Sequence, residues 1–359
     1  MDDRNAQVGW TEAQWNRVRQ EVLRAWQSAR VAGSFLPVYG PLPPSTLVVP
    51  SEVLDSSGTL DDRATASVLE ISMTVDLTRQ QVIEEDLSSA LLEFRRRATQ
   101  VAQLEDWYIF NGQYPRGGPQ PAPSARLDRY LAQQSAIERE WTVDMPFRPD
   151  VAYSNSRWLS LSGVEPPATG VVPVRQKASL LARNPGALGL LEGAEVVTAD
   201  DLADYDGNLS LAPRPVGGMS DRELTTTIVN AIATLDRNGY VAPHVCIFGR
   251  GPFVAVNTPL NSGAFPRDRI EPLIGREILH SSAIDIAPVG VGPETAQQWP
   301  LRGLLLSLAG GPIDIAMVVE ATPEFRQVDA RGHYIFAVVE RFALRIKDRA
   351  AIVTMAFRN

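Results

Sequence analysis

The segment from Leu69 to Phe110 changes its hydrophobic period from two to about 3.6 within a few residues, which constrains the fold more than any other feature. Its first part alternates with polar positions and has the apolar residues Leu69, Ile71, Met73, Val75 and Leu77. From Gln80 onward the apolar residues recur at steps of four and three, at Leu87, Leu91, Phe94, Ala98 and Val101. This pattern predicts a strand with one buried face, followed by the longest helix of the chain.

The strand-like pattern begins earlier, near Leu47, and is interrupted by a polar turn at Asp55–Asp62. The segment therefore predicts a long two-stranded arm over residues 45–77. After the long helix, residues 113–183 are rich in Pro and Gly and have little periodicity, apart from a short helical pattern near Leu127–Trp141. A stretch of this length without clear elements is typical of a surface insertion.

Two capping-box patterns mark the starts of further helices. Thr11 with Gln14 opens a helix with the apolar face Trp15, Val18, Val22 and Trp26. Ser220 with Glu223 opens another, which Asn238-Gly239 closes. The remaining patterns predict strands at Val241–Phe248, Tyr334–Ile346 and Ala351–Phe357, a helix near Asp268–Leu279, and a hairpin of Leu304–Leu308 with Ile313–Val319.

Charge and cysteine content argue against several classes of protein. A net charge of −8 disfavours binding of nucleic acid through a basic surface, which needs Lys and Arg against phosphates. The single cysteine, Cys246, excludes a disulfide within the chain, and the charged N-terminus lacks a signal-peptide pattern, so we expect a reducing cytoplasm. The most apolar stretch, Gly303–Val319, is interrupted by Gly310-Gly311-Pro312 and contains Asp314, so we expect a soluble protein.

The sequence shows no recognisable catalytic, cofactor-binding or metal-binding motif. The three histidines, His244, His280 and His333, are far apart in the sequence, and we interpret each as structural or exposed. The neighbouring carboxylates Glu84-Glu85-Asp86 and Glu105-Asp106 point in different directions on a helix, which indicates a solvated face or a subunit contact. The run Arg95-Arg96-Arg97 is interpreted as polar surface that forms salt bridges to a neighbouring chain.

Six short segments occur in a recognisable order along most of the chain. They are Thr11–Trp15 with Phe35, Val38 and Gly40-Pro41; Val101–Asp106 with Ile109–Gly112; Asn184–Leu191; Ala242–Val245; Val339–Phe342; and Ala350–Ile352. Together they resemble the encapsulins, also called linocin-type bacteriocins, whose members form bacterial shells. The segment Val101–Gly112 on the long helix is the strongest single signal.

The resemblance implies an α+β fold of the tailed-phage major-capsid type, with a peripheral domain, an axial domain and an extended two-stranded arm. It divides the chain into a lumen-facing helix and strand (1–44), the arm (45–77), the peripheral domain with its spine helix (78–219 and 320–359) and the axial domain (220–319). The implied protein is a homo-oligomeric subunit of a closed icosahedral nanocompartment in the cytoplasm. It would enclose a cargo enzyme through a short targeting peptide, with no cofactor, nucleic acid or membrane.

Three sets of site residues follow from the resemblance. A cargo-binding groove would be lined by Trp15, Val18, Val22 and Phe336, with core packing of the same helix as the alternative. A pore loop at the fivefold axis would consist of Asn261, Ser262, Gly263 and Ala264, whose small uncharged side chains predict little selectivity. The arm residues Leu69, Ile71, Met73 and Val75 would be buried against a neighbouring subunit, because an isolated hairpin is only marginally stable in water.

The chain departs from the family pattern at three places. Val318–Pro323 replaces a motif rich in Gly and Asp, residues 113–183 are inserted, and Thr78 stands where some relatives have an aromatic residue that stacks on flavin, so we expect no flavin. Two alternatives remain open. One is a phage or prophage major capsid protein, against which the lack of a basic segment argues; the other is a protease or bacteriocin-type activity, which would need a nucleophile and a base.

Overall fold

The computed structural model describes residues 5–54, 60–61, 64–112, 140–141, 178–181, 189–192, 195–198, 221–259, 263–285 and 301–357. Its helices are α1 (Glu12–Ala29), α2 (Ala32–Phe35), α3 (Arg79–Ile83), α4 (Ser88–Asn111), α5 (Asp221–Arg237), α6 (Arg250–Val256) and α7 (Arg267–Ile274). Its strands are β1 (Val38–Tyr39), β2 (Val48–Pro50), β3 (Val53–Leu54), β4 (Leu60–Asp61), β5 (Thr65–Ser67), β6 (Leu69–Leu77), β7 (Glu140–Trp141), β8 (Ala178–Leu181), β9 (Glu195–Thr198), β10 (His244–Phe248), β11 (Ile278–His280), β12 (Leu301–Ser307), β13 (Ile313–Val328), β14 (Tyr334–Ile346) and β15 (Ile352–Phe357).

The first sheet has the strand order β1-β13-β14-β6-β8-β7. Its centre is the antiparallel pair of β14 with β6, which runs from Tyr334 opposite Leu77 to Phe342 opposite Leu69. The alternation of β6 buries its odd-numbered side chains, and α4 and α1 cover that face of the sheet. The segment with the period-two pattern thus forms a central strand of the sheet.

Helix α4 forms the spine of this layer. The predicted helix from Gln80 to Phe110 is divided in two, because the chain turns between α3 and α4 and Glu84 accepts a hydrogen bond from the backbone N–H of Ser89 at 3.0 Å. Beyond Val101 the spine is buried on nearly all sides. It ends at Gly112. Gly189 approaches this end so closely that a Cβ added to Gly189 would lie 2.1 Å from the backbone nitrogen of Gly112.

The second sheet has the order β11-β10-β12-β15-β9. One of its faces packs under α5, α6 and α7, in a core that includes Ile228, Phe248 and Met355. The other face contributes Ile247, Leu304 and Ile352, among others, to the core around the spine. The two sheets therefore share one continuous core across the end of α4.

Chain connections between the sheets differ from the sequence-based expectation. The predicted hairpin of Leu304–Leu308 with Ile313–Val319 does not form, because β12 pairs with β10 and β15 while β13 pairs with β1 and β14. The chain instead crosses from one sheet to the other around Gly310-Gly311. The closing strand β15 lies in the second sheet and not beside β14.

The arm is shorter than predicted, because β6 belongs to the first sheet. Its described strands form two small antiparallel pairs, β2 with β5 and β3 with β4. At its base, Val49 and Val68 pack on Val318 and Ala343, on the face of the first sheet opposite the spine. Arg341 also holds the start of the arm, because its guanidinium donates to the backbone carbonyl oxygens of Pro44 and Thr46.

Candidate functional site

The four side chains predicted to line a cargo groove come together in space, but inside the chain. Trp15, Val18 and Val22 are at most 1% exposed, and Phe336 is fully buried. The ring centroids of Trp15 and Phe336 are 6.1 Å apart. Trp10, which the sequence analysis did not single out, stacks on Phe336 at 5.1 Å. This arrangement is the one that the core-packing alternative describes, and contact with a cargo peptide through these side chains would require α1 to leave the sheet.

The predicted assembly residues of the arm also lie in the subunit core. Leu69, Ile71, Met73 and Val75 are 0–3% exposed within a single chain, on the face of β6 that α4 covers. Their assignment to a contact between subunits needs correction. Alternation reports that one face of a strand is buried, but it does not report whether the same chain or another chain buries it.

The arm nevertheless presents an unburied apolar surface at another place. Leu47 is 40% exposed and Val48 on β2 is 46% exposed, beside the small two-stranded sheets of the arm. The free edge strand β1 adds Val38 and Tyr39, each 51% exposed. These residues are the described apolar side chains of this region that remain available to a partner.

The predicted pore loop is described only in part. Asn261 and Ser262 lie outside the described residues. Gly263, at φ +80°, is exposed and Ala264 is half-buried, and both precede α7. The role of this loop at a symmetry axis stays a prediction.

The surroundings of the histidines and the cysteine give these side chains little chemical reactivity. His244 is fully buried, and neither of its ring nitrogens has a hydrogen-bond partner within the described part of the chain. Burial lowers the pKa of His244 and raises the pKa of the Cys246 thiol. His333 lies 2.9 Å from a carboxylate oxygen of Asp76 at the end of β6. Among the described residues, no three His, Cys, Asp or Glu side chains are grouped so that they could hold a metal ion.

A buried set of charged groups joins α1, α4 and β14, and we call Arg30, Glu105 and Glu340 the acid–arginine cluster. Arg30 directly follows α1, donates to Glu105 Oε1 from Nη2 at 2.5 Å and lies over the Trp26 ring at 4.0 Å. Glu105 and Glu340 are both fully buried. Neither oxygen of Glu340, nor Oε2 of Glu105, makes a hydrogen bond of good geometry to another described residue.

Burial is the main cause of the raised pKa values of the carboxyl groups in and beside this cluster. It raises the pKa of Glu340 well above the ordinary value, and the adjacent Glu105 raises it further. Burial also raises the pKa of Glu105, which Arg30 opposes. Next to them Asp106 accepts hydrogen bonds from the backbone N–H groups of Val31 and Ala32 at 2.8 and 2.7 Å, while burial and the charge of Glu105 raise its pKa to about 7.

The interpretation of Glu105 and Asp106 as a solvated face or a subunit contact is therefore wrong, and that of the arginine run as polar surface fails for Arg97, whereas Arg95 and Arg96 are exposed. Glu105 and Asp106 are interior groups and not a solvated face, and Arg97 is only 4% exposed and donates to Gln100 at 2.9 Å. Arg95 does form a salt bridge, but to Glu21 of α1 in the same chain at 2.5 Å. The signal that could have placed Glu105 and Asp106 was present, because apolar residues occupy every side of the helix around them, as in a fully buried helix.

Comparisons with known structures place this architecture in a class. The chain matches the crystal structure of a virus-like particle from Pyrococcus furiosus with a TM-score of 0.52 and 9% sequence identity, over 96% of this chain and 100% of that chain. Two further matches have lower TM-scores. The capsid of an empty GTA particle gives 0.48 at 12% identity, over 92% of this chain and 91% of that chain, and the capsid of Myoviridae phage XM1 gives 0.43 at 12% identity, over 89% of each chain.

The expected fold is confirmed: the chain has the α+β capsid fold of the tailed phages, over most of its length. Neither a protein-family model nor a curated protein matches the sequence. None of the described helices is both long and apolar enough to span a membrane.

Proposed function

We propose that this chain is the shell subunit of a closed, encapsulin-type compartment and acts by assembly and not by catalysis. The observation that carries the proposal is the full-length match to the subunit of the virus-like particle from Pyrococcus furiosus, which is covered over 100% of its length. The described residues include the spine helix, two sheets that share one core, and an arm of two small sheets.

The arm supplies the physical reason for assembly. Sheets of only two strands, such as β2 with β5 and β3 with β4, are marginal by themselves in water. Leu47 and Val48 expose apolar surface on this arm, and burial of such surface stabilises by about 25 cal/mol per Å². A neighbouring subunit that covers the arm would bury this surface, and closed symmetry would repeat the contact around the shell.

Protein cargo is favoured over nucleic acid by the charge of the chain. The net charge of −8 would repel a packaged polyphosphate, whereas a protein cargo needs only a local docking surface. The proposal therefore includes a cytoplasmic shell, without a cofactor of its own, that holds a protein bound through a short peptide. Its docking surface is not assigned to Trp15, Val18, Val22 and Phe336 in their buried positions.

Electron microscopy and mass photometry of the purified protein test this function. We expect hollow particles of uniform size, with little absorbance from nucleic acid.

A matched pair of variants tests the exposed apolar surface of the arm: Val48→Asp should reduce the yield of particles strongly, and the nearly isosteric Val48→Thr should preserve them. A monomer or dimer as the final state of the wild-type protein would refute the shell, and particles filled with DNA would favour the phage capsid alternative.

A further inference from the structure

The acid–arginine cluster places two carboxyl groups against one cation in the core of the first sheet. Glu105 extends from the spine, Glu340 from the middle of β14, and Arg30 from the end of α1. All three are nearly or completely shielded from water, with the Arg30 side chain 8% exposed and both glutamates 0% exposed. An ionised carboxylate in such a place needs a charge partner or several hydrogen-bond donors, because desolvation is otherwise too costly.

Among the described residues, Glu105 is the one of the two glutamates that is hydrogen-bonded to a cation, although Arg30 also attracts Glu340. Arg30 donates to Glu105, so this pair is electrically balanced. Asp106 does not help, because it is a further acid that uses both its oxygens on the N–H groups of Val31 and Ala32. The indole of Trp26 is a further polar group beside the cluster, and it carries no charge.

We propose that the acid–arginine cluster is an alkaline-sensitive latch, in which one proton retained on the Glu105–Glu340 pair keeps α1 packed on the first sheet. When that proton is lost, two negative charges share one guanidinium in the core. The excess charge is relieved if water reaches the cluster. Of the three elements that meet there, α1 is the one with an exposed polar face, whereas β14 around Glu340 and the second half of the spine are interior. We therefore expect α1 and the α1–α2 junction to loosen first.

The direction of the pH effect follows from the shift of the glutamate pKa. Because the folded-state pKa of Glu340 lies above its unfolded value, the stabilisation is complete at acidic pH and is lost as the pH rises through the folded-state value. Between the unfolded and the folded-state values, each pH unit should increase the open population of α1 about tenfold, and above the folded-state value this population should level off. The latch depends only on contacts within one subunit and does not depend on the proposed shell function.

Hydrogen exchange followed by mass spectrometry on the full-length protein, between pH 6 and pH 9.5 and corrected for the intrinsic exchange rate, tests the latch. Peptides from α1 and α2 should lose protection as the pH rises, while peptides from α5 keep theirs. Glu340→Gln, which resembles the protonated acid, should abolish this loss. The control Glu320→Gln removes an exposed carboxyl on β13 and should behave like the wild type.

A second variant makes the test independent of the first. In Glu105→Gln, Glu340 is left as the only glutamate near Arg30, so a balanced pair can form without a retained proton and the loss of protection should again disappear. Constant protection of α1 in the wild type up to pH 9.5 would overturn the latch. So would an unchanged loss in both variants, and an equal loss in α5 would show global unfolding in place of the release of α1.

Discussion

The two sheets of this protein are stabilised by cores of different chemistry. Around the spine, the interior of the first sheet contains Arg97, Asp106 and the three ionisable groups of the acid–arginine cluster. Beneath α5, α6 and α7, the second sheet encloses only apolar residues and neutral polar ones among its described positions, with His244 as its buried titratable nitrogen base. The described residues of both cores are shielded from solvent, yet only the first contains charges that must be balanced.

This difference has opposite consequences for pH. Burial favours the neutral form of any ionisable group, so it raises the pKa of a carboxyl group and lowers that of an imidazole. The first sheet should therefore lose stability as the pH rises, through Glu340, and the second as the pH falls, through His244. The shared core should be most stable at pH values between the protonation of His244 and the deprotonation of Glu340.

The largest expected effect tests whether the first core accepts charge only where a partner is present. Ile71 is fully buried on β6 and lies opposite Glu340 of β14, so an acid there would add a further carboxyl group beside the Arg30 guanidinium, which already pairs with Glu105. Ile71→Asp should abolish folding of the subunit, seen as loss of the soluble folded protein and of its near-ultraviolet circular dichroism. Ser72→Asp, on the opposite face of the same strand, should remain folded. A folded subunit of Ile71→Asp that merely fails to assemble would restore the original assignment of Ile71 to a contact between subunits.

A smaller effect should come from removing both acids of the cluster. Glu105→Gln with Glu340→Gln leaves the buried Arg30 guanidinium without its hydrogen-bonded carboxylate, and we expect a loss of about 3–5 kcal/mol in the free energy of unfolding. Urea unfolding at pH 7 measures it. Each single variant should cost much less, because one carboxylate remains for Arg30. Adding Arg30→Met to the double variant should recover stability; if it does not, the unbalanced charge is not the cause.

The success of the sequence-based prediction also differs between the two regions. Periodicity identified β6, the spine and α1, and it put Trp15 and Phe336 on apolar faces that must find a core, whereas the family resemblance placed the two side chains at one site. It could not show that Leu69, Ile71, Met73 and Val75 are buried by their own chain, since burial by a second copy leaves the same alternation.

Long-range pairing and buried charge were the other gaps. Gly310-Gly311 suits a hairpin turn as well as a crossing between sheets, and only the competition among β10, β13 and β15 for partners decides which occurs. Glu105 and Glu340 are 235 residues apart along the chain, so no local pattern could reveal that they share Arg30. The capsid fold itself was recognised from the resemblance of short segments.

The packing of the second core can be tested at Gly303 in β12. An added Cβ there would lie 2.7 Å from Phe248 Cδ1 and 2.9 Å from Met355 Cε, so the neighbouring side chains must move. Gly303→Ala should cost about 1–3 kcal/mol, as measured by the urea midpoint. In a Phe248→Leu background the same substitution should cost less, since the ring that it meets is gone. Equal costs in both backgrounds would mean that this core is looser than the contacts indicate.

The smallest effect concerns the acidic side of the comparison. His244 is buried without a partner for either ring nitrogen in the described residues, and its pKa lies below the ordinary value of 6.5. The stability that its neutral form provides is present above pH 6.5 and is lost as the pH falls, with a slope of at most about 1.4 kcal/mol per pH unit for one proton. Urea midpoints measured from pH 7.5 to pH 5 should therefore decline less steeply in His244→Gln than in the wild type. His280→Gln, which removes an exposed histidine of the same sheet, should keep the wild-type slope. If His280→Gln flattens the curve and His244→Gln does not, the acid sensitivity comes from a surface histidine. The second core would then have no pH response of its own, and only the pH response of the first core would stand.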